Sequence, residues 1–495
     1  MSRLRGKKGE MGTLNPPRQA RFLNREVTTD ILLIAAISMM GYWIRLDRLN
    51  GYSSEDDAAY VAACGLIMKG YVPHRDFFLA HPSGFFYFVT LLWRLLRLEN
   101  PQTMWFVGKL VSFFSFVATG AVIYLICRKI LNNRTAGLIG IAIYQLSSQT
   151  SLFSVACAPQ LPATFLMIAS VYILLDDPLK TWKKTLILGL SLGTALVTRL
   201  STLYPLPLFL LYIILVERRR PTEWRKLATV LVLLVLPLLV MLATAPIGNL
   251  WFDLVAFHFL KGSSTIAEKI GKLLSILTSR ELPHLLGLIS TPYALSKRDT
   301  RLNFLIGQGI LLLGPYFMQA TPGAHLLIES APFFTILTAV ATAQTANSIL
   351  ERRRPLLAVC SSILLLTAMA LSLPPAVTEV SRVLHETTLE GRVYRRLVDI
   401  VDRETSKDDV VFSQIPLVPF LAGRNYPPFI DTSQSAKSAG IYTPEVVAEI
   451  VLRYRVKLLI VWYRTGDDLS DFLLGEGFTK LENLGGYTIY IRSER

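Results

Sequence analysis

Residues 227–246 read LATVLVLLVLPLLVMLATAP, a run without a single charge, directly after the basic cluster Arg218, Arg219, Arg220, Arg225 and Lys226. A helix that crosses a bilayer needs about 17–25 mostly apolar residues, because the hydrocarbon core is about 30 Å thick and each residue rises about 1.5 Å. This stretch therefore predicts a transmembrane helix that starts on a basic side. Working outward from it, comparable runs fall at 30–46, 104–127, 136–152, 160–175, 184–199, 200–216, 275–296, 302–319, 329–349 and 355–373. The predicted fold class is an α-helical polytopic membrane protein with about eleven spans. The runs 184–199 and 200–216 form one apolar stretch divided by Arg199 and Pro205, so a single long tilted helix is the alternative there.

Composition agrees: of 495 residues 52% are hydrophobic and 18% charged, more apolar than a water-exposed surface of this size tolerates. The net charge of +15 would suggest nucleic acid in a soluble chain. Here the cations sit in short clusters between apolar runs, which is a topology signal and excludes a nucleic-acid surface. The clusters Arg128/Lys129/Arg134, Lys180/Lys183/Lys184, Arg218 to Lys226, Lys297/Arg298/Arg301 and Arg352/Arg353/Arg354 fall in every second connection, on the side of the basic tail 1–29. The expectation is a cell-membrane protein with a cytoplasmic N-terminus, and an odd span count places the C-terminus outside. The first run lacks a small-residue cleavage site and reads as an uncleaved span. Cys64, Cys127, Cys157 and Cys360 show no metal-ligand or disulfide spacing.

Three regions follow: the tail 1–29, a transmembrane domain 30–373 with a long first outer loop 47–102, and an outward α/β domain 374–495. Within the loop, Phe85 to Leu96 is amphipathic and suits the membrane interface. In the C-terminal region Val410–Ile415, Val456–Trp462 and Tyr487–Ile491 are predicted strands, and Pro444–Tyr454 and Leu469–Leu474 predicted helices.

The densest polar constellation is Tyr52-Ser53-Ser54-Glu55-Asp56-Asp57-Ala58-Ala59-Tyr60, followed by Gly70-Tyr71-Val72-Pro73-His74-Arg75-Asp76. Three adjacent carboxylates repel one another, so one of them needs a proton, a cation or a hydrogen-bond network. The alternative is a solvated acidic helix start capped by Ser53 or Ser54. Together with Ala62-Ala63 and His81-Pro82-Ser83-Gly84-Phe85-Phe86-Tyr87, these runs resemble the first outer loop of GT-C glycosyltransferases. The likeness is to the glycosyltransferase family 39 type, which includes protein O-mannosyltransferases and lipid A aminoarabinose transferases. The chain departs from that pattern with Asp57 for the usual Glu and His74 for the usual Tyr. It departs again at His325-Leu326-Leu327-Ile328-Glu329-Ser330-Ala331-Pro332, where the family often has Arg-Tyr before a Pro.

The resemblance implies inverting transfer of a sugar from a polyprenyl-phosphate donor to a lipid, glycan or protein hydroxyl at the outer face, without a cofactor. By position Asp56 matches the catalytic aspartate, so it is the expected general base. Asp57 or Asp76 would position the acceptor or hold Asp56 ionised. The leaving lipid phosphate gains charge as the bond breaks, and outer-side cations stabilise it: Arg75, Arg199, His258, Lys261 and His325 are the candidates. Arg199 stands out because an Arg at the edge of an apolar run is costly, although snorkelling to the interface is its alternative. For His258 and His325 the alternative is an interfacial hydrogen-bonded histidine, and Glu329 is placed to pair with His325. The acidic loop lacks the separate ligands a divalent metal would need, so no metal site is expected. A transporter or lipid flippase would spread ionisable residues through its spans, and a catalytically silent partner protein of the same fold is the remaining alternative.

Overall fold

The computed structural model describes residues 55–176, 181–217, 224–260, 264–279, 281–319, 322–350, 392–431, 433–462 and 467–493, with scattered positions before Glu55 and Thr378. Residues 45–495 form one compact unit and residues 1–44 another; in the second, 32–36 are helical. The expected span at 355–373, and more than half of that at 30–46, lie outside the described residues.

Helix starts follow local chemistry. Helix α1 (Glu55–Met68) opens on its acids, and α2 (Gly84–Leu95) follows the His-Pro-Ser turn. Helix α3 (Pro101–Leu125) begins where Asn100 Oδ1 accepts from the Thr103 N–H at 3.1 Å, with Pro at its first position, and runs on through a π-turn to Ile130. Asn133 and Thr181 cap α4 (Arg134–Tyr144) and α6 (Trp182–Thr198) in the same way; between them lies α5 (Gln160–Leu175). Among the described residues, Pro101–Ile130 and α8 (Trp224–Leu242) are long and apolar enough to cross a membrane. On α8, Val232, Leu236, Leu239 and Val240 face outward, a surface suited to lipid and not to water.

Several apolar stretches are interrupted in the structure. Helix α6 ends at Thr198, Arg199 is extended, and a 3₁₀ turn (Leu200–Leu203) precedes α7 (Leu206–Glu217), so two helices stand where one long helix was the alternative. The run 275–296 splits at Glu281 into amphipathic α9 (Ile266–Ser279) and α10 (Leu282–Ser296), because Glu281 and Pro283 start a new helix. The run 302–319 breaks after α11 (Thr300–Leu311) at Gly314-Pro315. Helix α12 (Ala331–Leu350) packs on α10 and α4. Close packing uses small residues: a Cβ at Gly193 on α6 would stand 2.6 Å from the Leu233 carbonyl of α8.

The C-terminal region starts with a helix over 392–404. Its four-stranded sheet has the order β1-β2-β4-β3, with β1 (Val411–Ser413) parallel to β2 (Leu458–Trp462). Strand β4 (Tyr487–Arg492) runs antiparallel to β2 and to β3 (Phe478–Leu484). Helices α13 (Pro444–Arg453) and α14 (Asp467–Gly475) lie close to their predicted places. This region packs directly on the acidic-loop helices: Trp93 of α2 stacks on Phe420 with centroids 5.9 Å apart, and the Tyr426 hydroxyl donates to the Ala62 carbonyl of α1 at 2.9 Å.

Candidate active site

Helix α1 carries the acidic run, and it is buried on nearly every side from Asp57 to Ile67. Its alanines favour helix and its acids suit the positive N-terminal end. Gly70, at φ +93°, lets the chain turn out of it.

Asp57 is fully enclosed by protein donors. The Cys157 N–H donates to Oδ1 at 2.7 Å and the Trp105 Nε1–H to Oδ2 at 3.0 Å. Lys109 Nζ stands 3.6 Å from Oδ2, with both side chains 0% exposed, and lies over the Trp105 ring. Asp57 thus ties α1 to α3 and to the turn before α5, a buried ion pair whose loss on one side leaves a bare charge.

Asp56 is half-buried, one turn before Tyr60 on α1. The Tyr60 hydroxyl bonds to His81 Nε2 at 2.7 Å. Burial above all, and then Asp56, push the Tyr60 phenol well above its usual range, while Arg199 acts on it in the opposite sense. Tyr60 is therefore a neutral hydroxyl within electrostatic reach of a carboxylate and a guanidinium. Arg199, buried at the break after α6, forms an ion pair through Nε with Glu329. Ser201 Oγ accepts from Arg199 Nε at 3.1 Å and donates to Glu329 Oε1 at 3.0 Å. Among the described residues, Arg199 Nη1 and Glu329 Oε2 are buried without a partner. The expected His325–Glu329 pair is replaced by Arg199–Glu329, because Ala324–Leu327 is a 3₁₀ turn and the i,i+4 spacing of an α-helix does not apply. His325 lies beside the Phe153 ring.

The loop after α1 is fastened at its own points. Arg75 and Asp76 form a two-point pair, Nε to Oδ1 and Nη2 to Oδ2 at 2.9 Å each, and Asp76 Oδ2 also accepts from the Val72 N–H at 2.7 Å. The Arg75 hydrogen bond holds the Asp76 carboxyl below its usual range. His74, at φ 63°, bonds through Nδ1 to Asp253 Oδ2 at 2.8 Å, and Asn249 Nδ2 donates to the His74 carbonyl at 2.8 Å. Asp253 stands in a π-helical turn, Phe252–Ala256, that leads to His258. His258 Nε2 donates to the Ala80 carbonyl at 3.2 Å, and its ring is 6.5 Å from that of His81.

Asp56 and Arg199 thus act electrostatically on Tyr60, and His81 links its hydroxyl to the His258 ring, whereas Arg75 and Asp76 engage each other. Lys261 lies outside the described residues. Among the described residues no group of three His, Cys, Asp or Glu is arranged to hold a metal ion. Sequence alone does not single out Tyr60 or Asp253 as partners, nor Gln160 or Lys109 as site residues; Lys109 and Asp253 carry a signal, being ionisable residues in or beside apolar runs. Chemically, the arrangement offers a carboxylate within a turn of a neutral hydroxyl relay, and a buried guanidinium with an unused N–H for an anion.

The fold is that of the GT-C membrane glycosyltransferases, a class of multi-pass membrane proteins. Residues 80–244 match the family described as dolichyl-phosphate-mannose-protein mannosyltransferase. The chain is similar in fold to the apo structure of ArnT from Cupriavidus metallidurans, with a TM-score of 0.65, 12% identity and coverage of 94% of this chain and 98% of that one. The same protein bound to undecaprenyl phosphate matches at a TM-score of 0.63 and 12% identity, over 93% and 97% of the two chains. The archaeal oligosaccharyltransferase AglB from Archaeoglobus fulgidus, in complex with an inhibitory peptide and a dolichol-phosphate, matches at 0.57 and 10% identity, over 95% of this chain and 75% of that one. No curated protein sequence matches the chain.

Proposed function

We propose that the protein transfers a sugar from a polyprenyl-phosphate donor to an acceptor hydroxyl at the outer face of the membrane, with inversion at the anomeric carbon. Asp56 takes the acceptor's proton as it attacks, and Arg199 stabilises the departing lipid phosphate. The observation that carries this reading is Arg199 itself: a buried guanidinium at a helix break, ion-paired with Glu329 and within electrostatic reach of Tyr60, whose Nη1 has no partner among the described residues. A buried N–H of that kind, unmatched within the protein, suits an anionic ligand. Lipid phosphates bound to ArnT and AglB support the donor class. Asp57, as an internal anchor of α1, supports the site by holding the helix that carries Asp56. His258 and His81 secure the loop over that helix. Arg75, Asp76 and His325 are further candidates for donor contacts, as is Lys261, which lies outside the described residues.

The test is to incubate the purified protein in lipid with a panel of polyprenyl-phosphate sugars and to follow their consumption by mass spectrometry. One member should be consumed, and Arg199→Ala should raise the donor concentration required while Arg199→Lys recovers part of the loss by keeping a point charge. Consumption of none, or unchanged donor kinetics in Arg199→Ala, contradicts the proposal.

A further inference from the structure

Gln160 is the first residue of α5 and 0% exposed, yet among the described residues neither its Oε1 nor its Nε2 has a hydrogen-bond partner. Leaving a buried polar group unmatched is costly, so an amide orphaned at both ends is poorly explained by folding alone. Its surroundings are those of the candidate active site. The side chain lies against the Tyr60 hydroxyl without ordinary hydrogen-bond geometry, and Tyr60 in turn is within electrostatic reach of Asp56 and Arg199. The turn just before it delivers the Cys157 N–H to Asp57, which fixes the start of α5 against α1. That start also has no side-chain cap, since Pro159 occupies the capping position. Arg199 Nη1, another buried donor without a partner among the described residues, belongs to the helix break after α6.

The two orphaned groups differ in what they fit. A guanidinium N–H suits a phosphate oxygen. A carboxamide presents one acceptor and a pair of donor hydrogens, and against a phosphate, which only accepts, its oxygen would stay unmatched. Hydroxyls both donate and accept, so two neighbouring sugar hydroxyls satisfy both ends of the amide at once. We infer that Gln160 is a substrate-binding residue that hydrogen-bonds hydroxyls of the transferred sugar, beside the phosphate held by Arg199. The inference rests on the donor reading proposed above and adds to it the residue that reads the sugar.

The experiment compares two probes on the full chain in lipid nanodiscs: bare undecaprenyl phosphate, and undecaprenyl phosphate carrying mannose, glucose, galactose or arabinose. Gln160→Met removes the amide with little change in volume. It should bind bare undecaprenyl phosphate within about twofold of wild type and bind the preferred sugar lipid about tenfold more weakly, the equivalent of one or two neutral hydrogen bonds. Its melting temperature should equal or exceed that of wild type, because an orphaned amide has been removed. Gln160→Asn, which withdraws the amide by one methylene, should show the same sugar-selective loss. Equal weakening on both probes, an unchanged sugar-lipid affinity, or a clear fall in the Gln160→Met melting temperature would overturn the inference, the last because it would show the amide to be bonded within the protein. A wild type that binds none of these lipids overturns the donor reading and this inference with it; a failure confined to the Gln160 variants overturns this inference alone.

Discussion

Asp56 and Asp57 are neighbours in sequence with different surroundings. Successive residues on a helix point about 100° apart, and here one direction leads to Trp105, Lys109 and Cys157 and the other toward the Tyr60 face of α1. Asp57→Ala strands a buried ammonium, so it should lower stability by about 3–5 kcal/mol. Adding Lys109→Met removes the stranded charge, and thermal melts of the single and double variants should show a large recovery in the double. Equal losses in both would mean that the pair is not coupled. From the sequence, the acidic run and the exposed cost of Arg199 were legible because ionisable groups are rare in apolar chains. The division of labour within the run was not, since the partners at 105, 109 and 157 are remote in sequence, and nothing local tells Glu329 to choose Arg199 over His325.

The element on which the site depends is α1, held from two sides. Lipid-facing helices supply one wall, and the segment after β1 supplies the other: Phe420 and Tyr426 press against Gly65, where an added Cβ would run into the Tyr426 hydroxyl and the Phe420 ring. Lys69 Nζ donates to Asn425 Oδ1 at 3.0 Å at the end of the same helix. Gly65→Ala should therefore destabilise by about 1–3 kcal/mol through overpacking, and Tyr426→Phe by about 1 kcal/mol through one lost hydrogen bond. Melts in detergent check both, and a neutral Gly65→Ala would show that the contact is loose. Truncation after Val377 would uncover this face of α1, so the C-terminal region does more than an accessory module would. The strands β1, β2 and β4 were readable from short aliphatic runs, whereas β3 was not. Its Lys480/Glu482 irregularity breaks the alternation, and the clue lay in Gly485-Gly486, whose positive φ values of 58° and 89° make the tight turn to β4.

At the scale of the molecule, the helical membrane fold was legible from apolar run length, while helix ends were set by breaks such as Arg199, Glu281 and Gly314 that run length ignores. The groups that act on Tyr60 come from connections that the charge pattern assigns to the outer side. Membrane-impermeant thiol probes should therefore label a cysteine placed at Ser435 from outside intact cells and miss one placed at Thr222; the reverse pattern would invert the proposed orientation. The central claim is that Asp56 is the base in sugar transfer, and it is tested most directly by Asp56→Asn in the reconstituted transfer assay. Asn keeps the size and the hydrogen-bond acceptor of a helix start, but it cannot take the acceptor's proton. Asp56→Asn should melt and bind the polyprenyl-phosphate donor like wild type and turn over at least about 10²-fold more slowly. Near wild-type transfer by Asp56→Asn would contradict the claim.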